Sequence, residues 1–190
     1  SILKKNNCSR VLFAGKVKKP NFAKLKLDVK GIFYISRIIK KLKLGDAAII
    51  KEIISIFKKE GIKTIRSNFF TPELTLTKGN YSNHRPDLED KKDIFIALKS
   101  LNKTNPYDHV QSAVSRKNLI VLEKNEGTEK MLKKIKKKKG KRNGVLVKFP
   151  KKKQDSRIDL PTVGINTLKQ CKRAGLKGVL LKHKKNIFLD

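Results

Sequence analysis

Ala47-Ala48-Ile49-Ile50-Lys51-Glu52-Ile53-Ile54-Ser55-Ile56-Phe57-Lys58-Lys59-Glu60-Gly61-Ile62-Lys63-Thr64-Ile65 holds a helix, a stop and a strand in direct succession. Ile49, Ile50, Ile53, Ile54 and Phe57 recur at the i, i+3, i+4 spacing, which lays one apolar face along a helix over 47–60. Asp46 stands where an N-cap belongs, since its short carboxylate can accept from the first helical amides. Gly61 then takes the C′ position, and 62–65 follows as a strand. Helix, glycine, strand in that order is an α/β pattern.

Working upstream, 11–14 reads as a short buried strand ending at Gly15, and 31–41 as a basic helix closed by Gly45. Downstream, over 75–86, apolar periodicity gives way to Thr, Gly, Asn, Ser, His and Pro, the composition of a linker. A helix resumes at Asp87 with Ile94, Leu98 and Leu101 inward. Strands are expected over 110–115 and 119–123, joined by the turn Arg116-Lys117-Asn118. A helix from Glu129 carries Met131, Leu132 and Ile135 on one side and runs out in the lysines of 136–139, where cations suit the helix dipole. The strand 144–148, a helix over 167–174 capped by Asn166 and ended by Gly175, and strands at 178–181 and 187–189 complete the pattern. The expected fold is mixed α/β, as two small α/β domains: residues 1–80, a linker at 81–86, and 87–190.

The chain of 190 residues carries 48 basic against 16 acidic side chains, a formal charge of +32, and only eight of the cations are Arg. Such a charge attracts polyanions, whether nucleic acid, an anionic membrane surface or a phosphorylated substrate. Lysines spread over the whole chain also fit solvated faces without any dedicated role, and a nucleic-acid surface would favour Arg for its bidentate fork. Cys8 and Cys171 have no CxxC spacing, so neither a disulfide framework nor a zinc site is indicated, and a reducing cytoplasm is the simplest setting. His84, His109 and His183 lack ligand spacing. The longest apolar runs fall far short of a spanning helix.

Chemistry-bearing residues concentrate late in the chain: Glu126-Gly127-Thr128-Glu129, Lys148, and Gln154-Asp155-Ser156-Arg157-Ile158-Asp159-Leu160-Pro161-Thr162-Val163-Gly164. Carboxylates, a carboxamide, Arg, Lys and glycines on loops between strands and helices are the material of a phosphate and metal site. Each carboxylate also has a plainer reading as a surface or capping group, Glu129 included. Gln111 is expected to orient a neighbour or pair with a backbone group.

The chain resembles the LpxI family, the UDP-2,3-diacylglucosamine pyrophosphatases of lipid A synthesis. The likeness lies in Gly144-Val145-Leu146-Val147-Lys148, Gln154-Asp155, Asp159-Leu160-Pro161-Thr162-Val163-Gly164, Thr167, Ala174-Gly175-Leu176 and Gly178. It extends upstream through Glu126-Gly127-Thr128, Pro86-Asp87-Leu88-Glu89-Asp90, Gly45-Asp46 and Gly15-Lys16-Val17. The resemblance implies a two-domain, Mg²⁺-dependent cytoplasmic hydrolase, peripheral to the inner membrane, that cleaves UDP-2,3-diacylglucosamine to UMP and lipid X. It implies that 87–190 is the catalytic domain and that 1–80 is the remainder of an incomplete first domain. The family's acidic catalytic position falls on Glu129, where this chain has Glu in place of Asp.

Water attack on a diphosphate needs charge neutralised on its oxygens, which Mg²⁺ supplies with one or two carboxylates as ligands. Glu126, Glu129, Asp155 and Asp159 are the candidate carboxylates, with Glu129 and Asp155 the expected metal ligands and Glu129 the expected catalytic carboxylate, binding the metal or orienting water. Lys148 and Arg157 are expected on phosphate oxygens, Gln154 beside them, and Gly127-Thr128 and Thr167 at helix starts whose amides receive anions. Ile94, Leu98, Met131 and Leu132 are candidates for an acyl-chain groove, or are ordinary core. Specific nucleic-acid binding is not expected. A basic nucleic-acid or anionic-surface binding protein, and an inactive relative of the enzyme, remain the alternative readings.

Overall fold

The computed structural model describes residues 2–14, 26–44, 46–104, 110–135, 142–151, 155–157 and 160–189. The chain divides into two compact units. The first contains Ser1–Phe70 with Asp155–Asp159, the second Thr71–Gln154 with Leu160–Asp190. The mixed α/β class expected from the sequence is the observed one.

Unit 1 runs α1 (Ile2–Lys5), β1 (Arg10–Leu12), α2 (Val29–Leu42), α3 (Asp46–Lys59) and β2 (Lys63–Ile65). β1 and β2 pair in parallel with Val11 opposite Thr64, so α3 and Gly61 form the return leg of a crossover. α2 starts two residues ahead of expectation because Asp28 caps it, accepting from Gly31 N–H at 2.7 Å. Asp46 is the first residue of α3. Phe57 of α3 meets Phe13 edge-on at 5.9 Å between ring centroids, and Ile54 and Ile62 are buried. β1 was expected as a buried strand over 11–14. It is shorter and only half-buried, and among the described residues β2 is its one hydrogen-bonded neighbour.

Unit 2 contains a 3₁₀ turn (Pro72–Leu74), α4 (Leu88–Lys103), β3 (Ser112–Arg116), β4 (Leu119–Leu122), α5 (Gly127–Lys134) and β5 (Val145–Lys148). β6 (Thr162–Gly164), α6 (Ile165–Arg173), β7 (Gly178–Leu181) and β8 (Ile187–Leu189) follow. The main sheet has the order β4-β3-β5-β7, antiparallel except for the parallel β5–β7 pair, and β6 and β8 make a separate parallel pair. Side chains along a strand alternate faces. Ala113, Val145 and Val147 therefore pack on one face against Ala97, Ile94, Leu98 and Leu101 of α4. Val114 and Leu146 pack on the other with Met131 and Leu132 of α5 and Cys171 of α6. Covering both faces explains why β5 reads Val-Leu-Val without polar alternation.

Local chemistry fixes several ends. Asp87 and Asp90 form a reciprocal capping box at the start of α4, and Lys177 bonds both carboxylates, Asp90 at 2.8 Å. The turn expected over 116–118 is made by Lys117 and Asn118, with φ of 47° and 67°, while Arg116 is still the last residue of β3, paired with Leu119. Arg116 reaches across to the Ala174 carbonyl at 2.6 Å, tying β3 to the end of α6. Asn166 does not cap α6 as expected: the helix follows directly on β6 with Gly164 at the N-cap, which leaves Asn166 exposed inside the first turn. Among the described residues no helix is long and apolar enough to cross a membrane.

Candidate functional site

β5 and β7 run in parallel and end together, Lys148 opposite Leu181. β3 runs the other way, so its start, Ser112, lies opposite Lys148, and the end of β4 brings Glu123 to the same edge. The carboxyl ends of parallel strands are where open α/β sheets bind ligands. Here that edge carries a buried polar network within unit 2. Glu123 is 4% exposed; its Oε2 accepts from Gln111 N–H at 3.0 Å and its Oε1 from the Thr128 hydroxyl at 2.7 Å. Thr128 Oγ1 lies 3.0 Å from Ser112 Oγ, and because the Thr128 proton goes to Glu123, the Ser112 hydroxyl is the donor in that pair.

Thr128 is the second residue of α5, so the network grips the turn Glu126-Gly127-Thr128-Glu129 from below. Gly127 opens this turn with φ of 87°. Glu126 and Glu129 project outward to lysines of their own helix, Glu126 to Lys134 and Glu129 to Lys133 at 2.8 Å. The hydrogen-bonded ammonium in each case holds the carboxyl below its ordinary value. Glu129 is 60% exposed on its side chain and open to a ligand from solvent.

Lys148 is held by its backbone: Asn186, 2% exposed, donates to the Lys148 carbonyl at 3.0 Å and accepts from Lys182 N–H at 2.8 Å. One buried carboxamide thus sets the ends of β5 and β7 together. Thr167 lies in the first turn of α6, half-buried. Asp155 and Arg157 belong to unit 1 and bind each other: Arg157 Nε donates at 2.9 Å and Nη2 at 2.6 Å. That fork lowers the Asp155 carboxyl and raises the Arg157 guanidinium, so the arginine expected on phosphate is occupied by a carboxylate. Gln154 and Asp159 lie outside the described residues, as do Gly15, Gly45, His109 and the lysines of 136–139.

Among the described residues no three His, Cys, Asp or Glu side chains gather as a metal cage. Mg²⁺ asks for less, one or two carboxylates with phosphate and water completing its shell, and the exposed Glu129, here paired with Lys133, is a carboxylate that could serve as one such ligand. Gln111 departs from expectation. Its backbone N–H serves Glu123 and its carbonyl accepts from Phe149 N–H at 2.9 Å, while its Oε1 is buried with no hydrogen-bond partner among the described residues.

A cavity of about 700 Å³ runs beside β7 within unit 2, lined by apolar Ile94, Leu168 and Val179 and by the cations Arg85, Arg142 and Lys182. Of the four groove candidates, Ile94 lines it, whereas Met131, Leu132 and Leu98 pack in the core on either side of the sheet. Glu123, Ser112 and Asn186 escaped the reading from sequence. Only the carboxylate that closes the apolar run Leu119-Ile120-Val121-Leu122, three residues ahead of Glu126, offered a signal.

Two family models match the chain, the LpxI N-terminal domain over residues 1–74 and the LpxI C-terminal domain over residues 77–190. The chain is also similar to the UDP-2,3-diacylglucosamine pyrophosphatase LpxI of Caulobacter vibrioides, at 33% identity over an alignment 186 residues long that covers 94% of this chain and 66% of that protein. It spans just under two thirds of that relative's length. With matches to both domains along nearly its whole length, the chain belongs to the LpxI family.

Proposed function

We propose that the protein hydrolyses the pyrophosphate of UDP-2,3-diacylglucosamine, giving UMP and 2,3-diacylglucosamine 1-phosphate. The observation that carries this reading is the turn 126–129, held from below by a buried network while Glu129 faces solvent, in a chain of this family. Water forms a bond to one phosphorus, the bridging P–O bond breaks, and the proton lost by water goes to a carboxylate. Glu129 is the group assigned to that water. The incoming diphosphate competes for the Lys133 ammonium and so frees the Glu129 carboxylate. Lys148, at the end of β5, and the first-turn amides of α5 after Gly127, whose own N–H bonds the Lys124 carbonyl, offset the phosphate charge. Mg²⁺, when bound, neutralises further charge on the phosphate oxygens.

The acyl chains are assigned to the cavity beside β7, where apolar walls meet cations fit for a sugar phosphate. Work at an anionic cytoplasmic membrane face suits the charge of +32. The test is UMP release from the lipid substrate in the presence of Mg²⁺. Wild type is expected to turn over, Glu129→Ala to lose about a hundredfold or more in kcat, and ¹⁸O-water to label whichever product carries the attacked phosphorus. No UMP from the wild-type protein overturns the reading.

A further inference from the structure

Glu123 is a carboxylate 4% exposed, and among the described residues no Lys or Arg nitrogen forms an ion pair with it. Burying a carboxylate without a cation is costly, and a fold tolerates it where hydrogen bonds replace the lost hydration. Both oxygens are used: Oε2 by Gln111 N–H and Oε1 by the Thr128 hydroxyl, with Ser112 donating to Thr128 in turn. A capping group would serve its own helix. Glu123 instead stands outside α5 and fastens the second residue of that helix to the ends of β3 and β4.

The turn is also tied by the Gly127 N–H to the Lys124 carbonyl at 2.9 Å, and α5 is seated by Met131 and Leu132 in the core; Thr128 is its buried polar link to the sheet edge. Glu126 at the N-cap position makes no side-chain cap hydrogen bond, Gly127 has the least restricted backbone of any residue, and Glu126 and Glu129 engage only lysines of their own helix. We propose that Glu123 is a positioning residue that acts through Thr128 to hold Glu129 and the α5 amides where the diphosphate is cleaved. This rests on the function proposed above. Glutamine at 123 keeps the shape but replaces one acceptor by a donor. The Thr128 proton then loses its carboxylate acceptor and must turn to Ser112, reversing that pair, so the charge-assisted link between the turn and the sheet edge is replaced by a weaker neutral one. A displacement near 1 Å at a reacting centre costs about a hundredfold in rate.

The experiment combines kinetics with amide hydrogen exchange on the full chain. Glu123→Gln and Thr128→Val are each expected to lower kcat by about ten- to a hundredfold with KM unchanged, and Thr128→Ser, which keeps the hydroxyl, to restore most of the rate. The double variant Glu123→Gln, Thr128→Val should lose no more than the worse single variant, because both act through one contact. Without ligand, exchange at the amides of 127–130 should quicken in Glu123→Gln and not in Glu129→Ala. Additive losses in the double variant, a rise in KM with unchanged kcat, or unaltered exchange would each overturn the proposal. A wild-type protein that releases no UMP overturns the function instead, and the exchange result then decides by itself whether Glu123 holds the turn.

Discussion

Gly144 immediately precedes β5, the strand that carries Lys148, and it has φ of 85°. A Cβ placed there would stand 2.8 Å from the Ser115 carbonyl oxygen, 2.9 Å from Arg116 Cβ and 3.2 Å from Arg116 Nε. Ser115 lies in β3, paired with Val145, and Arg116 is pinned to Ala174, so neither neighbour can retreat without breaking sheet or loop contacts. Gly127 is the natural control in the same unit: its φ is 87°, and a Cβ there would meet nothing within 4 Å. The left-handed backbone costs an alanine about 1–2 kcal/mol at either position. Overpacking adds roughly 1–3 kcal/mol at Gly144 alone. Gly144→Ala is therefore expected to destabilise by about 3 kcal/mol and Gly127→Ala by about 1 kcal/mol. Urea unfolding followed by far-UV circular dichroism measures both, since the chain has no Trp to report by fluorescence. Equal losses for the two variants would refute the argument that close approach of β3, beyond backbone conformation, selects glycine at 144.

The two cysteines are expected to behave differently towards a thiol reagent. Cys8 is exposed, whereas burial pushes the Cys171 thiol up to about 12, so the native protein should react at one thiol and the denatured protein at two; two fast thiols in the native state would contradict the packing of α6. In unit 1, Glu60 accepts from Lys4 at 2.7 Å and from the Tyr34 hydroxyl at 2.5 Å, and these donors, Lys4 first, hold its carboxyl at about 2 against an ordinary 4.5. A folded value below the unfolded one gives stability that is present above the ordinary carboxylate value and lost as pH falls through the folded one. A Lys4→Met, Tyr34→Phe variant should be less stable than wild type at neutral pH, with the gap closing as pH falls from 4.5 towards about 2. A gap that does not change with pH would show that Glu60 contributes nothing through its charge.

Elements with a strong period or a specific turn residue were legible: the isoleucine face of α3, the apolar run of β5, the Lys117-Asn118 turn and the glycine after α6. β6 was not, because three residues ending at Gly164 are too few to show alternation, and missing it displaced the start of α6 and gave Asn166 a cap it does not form. The site divided in the same way. Glu126 to Glu129 stood out as acids and a glycine at a helix start. Asn186 and Ser112 carried no local mark, since each acts on a partner distant in sequence.

The sequence by itself determined the α/β class, the apolar faces of the main helices and the family, because these follow from local periodicity and from motifs in a set order. Only the tertiary structure decided which polar groups serve each other. Antiparallel register brings Ser112 beside Glu123, and parallel pairing sets Lys148 level with the end of β7. A buried carboxylate and a buried carboxamide then become the supports of the edge where Glu129 is presented. Hydrogen bonds form between atoms within about 3 Å whatever their distance along the chain, and that proximity is created by folding.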